Sequence, residues 1–349
     1  MKIRAWISGL FVLIAASTPA WPWDSEGHEV VGAIADQLLS DNAKQQVKQI
    51  LGFTLQVAAP WPDCVRGVVA QPDGSVRYAP DPHHPEFRTP CTHFEADHGA
   101  ADEQARMEDY AKRNWTNCVY LPGRPCHEGF HFTDVPLQRN QYKPTFAGTN
   151  THDVVHAINA CIAVLQGQPA PAPFSIKDKK EALFLLAHFV GDLHQPLHVG
   201  AVYLDPSNGQ RVNPPDQPGP DPKTETAGGN KIKGLHESLH KEWDRIPPAW
   251  GPPPDAAIMA EVRRLLTEAG TAPVMSGEIT EWVQAAATNS IQMANRALTE
   301  VKFSAAGHHR WNADFTNNPD YEKNAEIIKQ RQLAKGGVAL AQILNKIWP

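Results

Sequence analysis

An excess of positive charge is missing from this sequence. Its 349 residues carry 32 Lys and Arg against 38 Asp and Glu, a formal net charge of −6. This balance excludes binding of a nucleic-acid duplex through a broad basic surface, because such surfaces attract phosphates with surplus Lys and Arg. If the chain binds nucleic acid, the positive charge has to come from another source. With 42% hydrophobic residues, the chain can bury a sizeable core.

Hydrophobic runs long enough to span a membrane are also missing, and one shorter apolar run lies near the N-terminus. Residues 5–16 are apolar, follow Lys2 and Arg4, and precede small residues that end at Ala20. A run this short does not span a bilayer, which takes about 20 residues. It predicts a secretory signal cleaved after Ala20, with an uncleaved anchor as the alternative. We therefore expect a secreted or periplasmic protein without membrane association, whose mature chain has lost both basic residues of the signal.

Cysteine is scarce and odd in number, at five residues. Cysteines tend to pair in an oxidising compartment, and four of the five lie in or beside one loop-rich segment. We expect two local disulfide bridges among these four, although the odd count leaves the connectivity open. Cys161 lies in an apolar helical pattern and is predicted to be a buried free thiol. The other four are Cys64, Cys91, Cys118 and Cys126.

No alternating pattern long enough for a useful β-strand occurs, whereas helical periodicity is widespread. Apolar residues recur at steps of three and four, and two irregular blocks, 66–130 and 205–227, interrupt the pattern. We expect one all-α domain over residues 21–349 with two long loop excursions. The predicted helices cover residues 30–39, 154–165, 179–193, 256–269, 279–301 and 321–347.

The sequence contains 16 histidines, and some of them recur at a spacing typical of one helix face. His188 and Asp192 are four residues apart on a predicted helix, so both side chains lie on one face, about 6 Å apart at Cβ. At this separation two side chains can share one metal ion. His198 follows Pro196, which bends or ends the helix and lets the imidazole turn back toward the same face.

A second pair with the same spacing, His240 and Asp244, strengthens this pattern. Zn²⁺ prefers imidazole nitrogen and carboxylate oxygen, and catalytic zinc sites keep one position for water. The pattern predicts a metal site, with histidines that serve only the core or a helix cap as the alternative. His152 and His156 are also four apart, but Thr151 is typical of an N-cap. We expect that pair to be structural, with His152 facing solvent.

Several motifs occur in order along nearly the whole mature chain. They are WDSEGHEVVGAIA near the start, WPDCVR at 61–66, HFTDVP at 131–136, HFVGDLHQPLHVG, AGGNKI, SLHKEWD and a closing QILNKIW. Together they resemble the zinc-dependent S1/P1 nucleases, and ordered agreement of this kind is far more specific than one motif. The resemblance implies an all-α fold of the phospholipase C/P1 nuclease type and a cluster of three zinc ions. It also implies an endonuclease for single-stranded DNA and RNA that acts as a 3′-nucleotidase.

The resemblance further implies that imidazoles and carboxylates hold each zinc, with Asp192 shared between two ions. The ligands would be Asp63, His131, His188 and Asp192 for one ion of a close pair, His198, His240 and Asp244 for the more distant ion, and His28, Asp192 and an N-terminal Trp23 for the third. Three dications against three carboxylates would leave about three positive charges at the site. These charges would attract phosphate to an otherwise acidic chain.

The sequence departs from the family pattern in two places. The family expects W-x4-H with the Trp first in the mature chain, which selects Trp23, whereas the predicted signal cleavage exposes Trp21. The 67 residues between Asp63 and His131 exceed the length expected for compact members. This insertion holds His93 in a run that mimics HFTDVP. We prefer His131 because the DVP that follows it completes the motif.

The same resemblance assigns the remaining roles. Arg66 is placed to donate a bidentate pair of hydrogen bonds to phosphate, with a surface ion pair as the alternative. Phe132 would stack a base, or pack in the core, and Asp134 would bind the edge of the base. Asn230 would bind phosphate or a ligand, or serve only a turn. The predicted catalytic and substrate-binding residues are Asp63, Arg66, Asp192, Phe132, Asp134 and Asn230.

Single-stranded nucleic acid and nucleotides are the expected substrates, because base stacking on an aromatic ring needs unstacked bases. No obligate protein partner is implied, and a monomer is the default expectation. The main alternative is a zinc-dependent phospholipase C, but Asp244 at the last ligand position and the GGN element favour the nuclease. A zinc-stabilised binding protein is less favoured, because structural zinc sites are usually closed by four ligands, often Cys-rich.

Overall fold

A computed structural model describes four stretches of the chain, residues 23–80, 88–116, 124–267 and 277–349. The predicted signal peptide with its cleavage site lies outside these stretches, as do Trp21 and Cys118. None of the helices within them combines the length and the apolar character that a membrane crossing requires.

Helices dominate the described residues, which confirms the predicted all-α class. The helices are α1 (Ser25–Leu38), α2 (Asp41–Leu51), α3 (Leu55–Ala58), α4 (Trp61–Val65), α5 (Arg88–Cys91), α6 (Ala101–Arg113), α7 (Val154–Leu165), α8 (Lys179–His194), α9 (Pro196–Val199), α10 (Leu239–Asp244), α11 (Ala256–Thr267), α12 (Ile279–Leu298) and α13 (Tyr321–Ile347). Short 3₁₀ helices occur at Thr92–Phe94, Ala96–His98, Cys126–His131 and Leu137–Arg139.

Helices α1, α7, α8, α11, α12 and α13 lie where apolar periodicity predicted them. Both ends of α7 and α13 agree with the prediction, and α8 extends one residue further, to His194. The first helix begins earlier than predicted, at Ser25. There the Asp24 side chain accepts a hydrogen bond from the backbone N–H of Gly27 and caps the helix.

Helices α2 and α6 were not predicted, and α6 lies in the block expected to be irregular. Each buries only three residues along one narrow face. In α6 these are Met107, Tyr110 and Ala111. So sparse an apolar stripe does not stand out in a polar sequence, which is why periodicity did not reveal these helices.

The few strands form three small sheets, and the expectation of no useful strand was wrong for one hairpin. In the largest sheet, β7 (Arg310–Asp314) pairs antiparallel with β6 (Lys302–Gly307) and parallel with β5 (Ile232–Lys233). His308 and His309 form the hairpin turn, with φ angles of 51° and 53°. Trp311 is the only fully buried residue in β6 and β7. The alternation of buried and exposed residues along these two strands is therefore weak. The strands are β1 (Val68–Ala70), β2 (Val76–Tyr78), β3 (Val135–Pro136), β4 (Gly200–Ala201), β5 (Ile232–Lys233), β6 (Lys302–Gly307) and β7 (Arg310–Asp314).

The centre of the molecule is α8, which is buried continuously from Glu181 to His194. Helices α1, α7 and α13 pack around it, as expected for a helix that is covered on every side. Glycine allows α13 to approach α1 closely, since a Cβ at Gly337 would lie 2.5 Å from the Cβ of Ile34. Any polar side chain on this buried part of α8 is therefore out of reach of bulk water and needs partners inside the protein.

The cysteines follow the predicted pattern as far as the described residues extend. A disulfide joins Cys64, in α4, to Cys91, at the end of α5. Cys126 is also disulfide-bonded, and Cys161 is a buried free thiol, as predicted. The first disulfide ties the long insertion to the helix that carries Asp63.

Candidate metal centre

Six segments between residues 25 and 244 bring eight buried imidazoles and carboxylates together. The side chains form three groups, and in each group the possible ligand atoms lie within 4.8 Å of one another. The first group is Asp63, His131 and His188, the second is His28, His188 and Asp192, and the third is His198, His240 and Asp244. The segments are α1, α4, the 3₁₀ helix Cys126–His131, α8, α9 and α10.

The first group is built around His188 of α8. Its Nδ1 lies 2.8 Å from the carbonyl oxygen of Ala59. Because a carbonyl can only accept, Nδ1 carries a proton, and Nε2 is the nitrogen that faces the group. That Nε2 lies 3.0 Å from His131 Nδ1 and 3.8 Å from Asp63 Oδ1. Both neighbours are buried as well.

The second group adds His28 from α1. Its Nε2 lies 3.4 Å from Asp192 Oδ1, and its ring stacks on that of His188 with centroids 3.6 Å apart. The close approach requires glycine at position 191, where a Cβ would lie 2.8 Å from His28 Nδ1. Burial, followed by the charge of His188, lowers the pKa of His28 to about 3, so its imidazole is neutral at physiological pH.

The third group joins α9 and α10. His198 Nε2 lies 3.6 Å from Asp244 Oδ1, and His240 Nε2 lies 3.6 Å from Asp244 Oδ2. His240 is oriented by the Gly228 carbonyl, 2.8 Å from its Nδ1. Pro196 stands at the start of α9, so the chain turns between α8 and His198, as predicted.

Asp192 connects all three groups. Its Oδ2 lies 3.1 Å from His131 Nδ1 and 3.2 Å from His188 Nε2. Its Oδ1 lies 3.4 Å from His28 Nε2 and 3.3 Å from His198 Nδ1. Burial alone would raise the pKa of this carboxyl, but the charges of His188 and His198 hold it well below its usual value. Asp192 is therefore an anion among imidazoles.

Several of these polar atoms are buried without a hydrogen-bond partner. They include both oxygens of Asp63, Oδ1 of Asp192, Oδ2 of Asp244 and both ring nitrogens of His28. Burial raises the pKa of Asp63 and of Asp244, which shows how costly their negative charge is without compensation. The nitrogen and oxygen donors, left open and aimed at one another, are suited to divalent cations.

Trp23 is buried beside the second group. Its indole Nε1 donates a hydrogen bond to the carbonyl oxygen of Gly191, 2.9 Å away. The next residue, Asp24, donates its backbone N–H to the carbonyl oxygen of Asp244, 3.1 Å away. The start of α1 is thus attached both to α8 and to the helix that carries the third group.

A match to a known family identifies the family of this chain. The S1/P1 Nuclease family model matches residues 23–349. This chain belongs to the S1/P1 nuclease family. It is therefore a hydrolytic nuclease that acts on nucleic acid, and the resemblance predicted from its motifs is confirmed.

Curated relatives of this nuclease agree with that assignment. It is 24% identical to Endonuclease 3 of Arabidopsis thaliana over 361 residues, which cover 99% of this chain and 96% of the relative. It is also 24% identical to Endonuclease 4 of Arabidopsis thaliana over 360 residues, with the same coverage. Nuclease PA3 of a Penicillium species is 26% identical over 204 residues, 54% of this chain and 65% of the relative.

Arg66 lies at the edge of the first group in this S1/P1 nuclease. It caps the C-terminus of α4, one turn after Asp63, and its Nη1 lies 3.5 Å from Asp63 Oδ1. Its side chain is 7% exposed. Arg66 thus forms an ion pair, as the alternative expected, but the pair with Asp63 is buried and does not lie at the surface. The guanidinium therefore lies beside the first group.

Phe132 and Asp134 follow the first-group ligand His131 directly in sequence. Phe132 is half-buried and Asp134 is buried. Burial, reinforced by the negative charge of Glu225, raises the pKa of Asp134 to about 7. A carboxyl that is protonated near neutral pH can donate a hydrogen bond as well as accept one.

The GGN segment forms a turn against the third group. Gly228 has a positive φ of 58°, and a Cβ there would lie 2.5 Å from the carbonyl oxygen of Leu197. The Asn230 side chain donates to the carbonyl oxygen of Ala227, 2.9 Å away. In the structure this amide stabilises the turn that orients His240, which is the structural alternative considered for it.

Sequence reasoning missed Gln195, which is fully buried between α8 and α9. Its Nε2 donates to Asp244 Oδ1, 2.5 Å away, and its Oε1 accepts from the backbone N–H of Leu197. Gln195 therefore orients one ligand and caps the helix that carries another. Its position in the sequence between the proposed ligands Asp192 and His198 was the available signal.

The rejected histidines stay outside the three groups. His156 pairs with Asp153, 2.7 Å away, and His93 lies on the 3₁₀ helix Thr92–Phe94. His152 was expected to face solvent, which is wrong, since it is only 6% exposed. Its backbone N–H donates to Asn150 Oδ1, 2.7 Å away. A tight turn that precedes α7 buries the His152 ring. The spacing of His152 and His156 along the helix does not reveal this burial.

His127 is a buried neighbour of the centre that sequence analysis did not single out. It is 2% exposed, and its Nε2 has no hydrogen-bond partner. The rings of Tyr110 and Trp115 each lie 6.2 Å from its own. Burial, assisted by the charges of Arg66 and Arg124, lowers the pKa of His127 to about 3. The native state therefore excludes a proton that the unfolded chain binds below pH 6.5.

We predict that His127→Phe reduces the acid sensitivity of folding. Stability linked to a lowered histidine pKa is lost as the pH falls from about 6.5 toward 3, and each pH unit is worth about 1.4 kcal/mol. Urea unfolding at pH 7 and pH 4.5 measures the effect, with the exposed His309→Gln as control. An equal loss of stability on acidification in His127→Phe and the wild type would contradict the prediction.

Proposed function

We propose that this nuclease is zinc-dependent and holds three zinc ions, one at each group of the metal centre. We further propose that it cleaves single-stranded DNA and RNA internally and removes 3′-phosphates from nucleotides. The observation that carries the proposal is the convergence of five buried imidazoles and three buried carboxylates, with Asp192 at the centre. Several of their ligand atoms, on His28, Asp63, Asp192 and Asp244, are buried without a hydrogen-bond partner among the described residues. A purely structural role does not account for so many uncompensated polar atoms in one place.

The donor set fits zinc. Imidazole nitrogens and carboxylate oxygens occur in every group, and no cysteine belongs to any of them. Such mixed sets are typical of catalytic zinc sites, whereas structural sites are usually closed by four ligands, often cysteines. When bound, zinc supplies Lewis acidity and a water of lowered pKa at neutral pH. His188 can bind only one ion through Nε2, so the first and third groups offer three protein ligands each and the second offers His28 and Asp192. These sets leave room for water and substrate oxygens.

The protein contributes the rest of the chemistry through its own side chains. Asp192 supports all three groups and keeps their spacing fixed. Arg66, beside the first group, is proposed to bind the phosphate that undergoes hydrolysis. Phe132 is proposed to stack a base and Asp134 to bind its edge, and Asn230 is proposed to act through the turn that holds His240. Stacking accepts any base but requires it to be unpaired, which favours single-stranded substrates.

Trp23 is proposed as the N-terminal ligand of the second group. The match to the family begins at this residue, and its indole is anchored beside His28 and Asp192 through Gly191. A free amino group at Trp23 would add a nitrogen donor to the group. This requires removal of Trp21 and Pro22 along with the signal peptide.

A mature protein of one domain over residues 21–349, secreted or periplasmic and monomeric, is proposed with this function. The disulfide between Cys64 and Cys91 supports an oxidising compartment. A zinc-dependent phospholipase C is the alternative function, and the endonuclease relatives weigh against it. Hydrolysis of phosphatidylcholine without release of nucleotides from single-stranded DNA would reverse the choice.

We predict that Asp192→Ala removes at least one zinc ion and most of the activity. One carboxylate is shared by two ions, so its loss is expected to exceed the roughly 10–100-fold effect typical of residues that only support a ligand. Zinc per protein by mass spectrometry and cleavage of a single-stranded oligonucleotide measure the two effects. Asp73→Ala, on an exposed turn, is the control and should match the wild type. Full zinc content in Asp192→Ala would refute the shared ligand.

The start of the mature chain should determine the zinc content of the second group. A protein that begins at Trp23 is expected to bind one more zinc ion than a protein that begins at Trp21, because only the former presents its amino group beside His28. Both forms can be prepared by specific proteolysis and compared by mass spectrometry of the metal. Equal zinc content in the two forms would exclude the N-terminal ligand.

Phe132→Leu should impair binding of nucleic acid and leave the hydrolytic step intact. Stacking of one base is worth about 1–3 kcal/mol, so KM for a single-stranded oligonucleotide should rise at least about fivefold. Hydrolysis of a phosphodiester without a base, such as bis(p-nitrophenyl) phosphate, should be unchanged. Phe303→Leu, at a half-buried position in β6, is the control. A KM equal to that of the wild type would assign Phe132 to packing.

A further inference from the structure

We infer that the protein has an additional divalent-cation site outside the metal centre, formed by Glu95, Asp97 and His98 and suited to zinc. The three residues lie on a short turn within the long insertion that precedes His131. Each offers one possible ligand atom, and these atoms lie within 4.8 Å of one another. The inference is independent of the proposed nuclease mechanism, because none of these residues belongs to the three groups.

The backbone of this turn is held in place by bonds that need no ion. Asp97 and His98 lie on the 3₁₀ helix Ala96–His98, whose N-cap is Glu95. The backbone N–H of His98 donates to the Glu95 carbonyl oxygen, 3.1 Å away. Gln104 of α6 accepts from the backbone N–H of Ala96, 2.9 Å away. The three side chains are therefore brought together before any cation binds.

Glu95 provides the second, independent observation. It is 2% exposed, although its neighbours Asp97 and His98 are exposed. Its Oε1 accepts a hydrogen bond from the Tyr78 hydroxyl, 2.8 Å away. Its Oε2 is buried and has no hydrogen-bond partner. Among the side chains that the structure describes, no Lys or Arg forms an ion pair with Glu95.

A buried carboxylate oxygen without a partner is costly, so a compensating cation is expected beside it. The same combination of gathered ligand atoms and an unsatisfied buried oxygen marks Asp63, Asp192 and Asp244 in the metal centre. At the turn, the Tyr78 hydroxyl leaves Glu95 Oε2 as the oxygen available to an ion.

The donor set indicates which cation this site binds. One imidazole with two carboxylates favours zinc over Ca²⁺ or Mg²⁺, which prefer oxygen ligands alone. The exposed side of the turn leaves the remaining coordination positions to water. An ion here would link the exposed turn to β2, through Glu95 and Tyr78, and stabilise the insertion.

Zinc stoichiometry of the full mature protein tests the inference. Protein saturated with zinc and freed of unbound metal by gel filtration is analysed by mass spectrometry. The double variant Asp97→Asn/His98→Gln is expected to bind one zinc ion fewer than the wild type and to cleave single-stranded DNA at the same rate. Both substitutions are on exposed side chains, and circular dichroism in EDTA checks that the fold is unchanged. His308→Gln/His309→Gln, on the exposed hairpin turn, should bind as much zinc as the wild type.

The same experiment in the Asp192→Ala background separates this site from the metal centre. The double variant should still lower the zinc content by one ion, whatever Asp192→Ala does to the activity. Equal zinc content with and without the double variant, in either background, would overturn the additional site. Replacement of the ion by Ca²⁺ at equal concentration would overturn its assignment to zinc.

Discussion

The Asp192 carboxylate is fully buried among four imidazoles, and the geometry of the metal centre depends on it. Each oxygen lies near two rings, so the elements that carry those rings cannot shift independently. In a low-dielectric interior, a charged group of this kind is tolerated only when its partners are complete. The surrounding helices therefore serve one requirement, which is to hold compensating groups around a single anion on α8.

Main-chain carbonyl oxygens orient several of the proposed histidine ligands. The Nδ1 atoms of three proposed ligands each face a carbonyl oxygen, which leaves their Nε2 atoms directed inward. The amide of Gln195 plays the corresponding part for Asp244. The histidine and carbonyl pairs are His188 with Ala59, His198 with His131, and His240 with Gly228.

Charge compensation links the centre, the additional site and the overall composition. An acidic chain with a net charge of −6 has no broad basic surface for phosphate. Its buried carboxylates instead collect where cations would neutralise them, and an excess of cationic charge there would attract an anionic substrate. Glu95 repeats the arrangement on a smaller scale. Acidic residues in this protein would thus create the proposed cation sites, and bound cations would in turn create affinity for phosphate.

The local geometry of the helices could be predicted from the sequence, whereas the packing between them could not. The spacing of His188 and Asp192 placed both on one face because helix geometry is set by neighbours along the chain, and long apolar stripes located α7, α8 and α13. The burial of His152, the polar helix α6 and the support from Gln195 depend on what other elements cover or contact. Since burial and partners come from segments far apart in sequence, only the tertiary structure decided them.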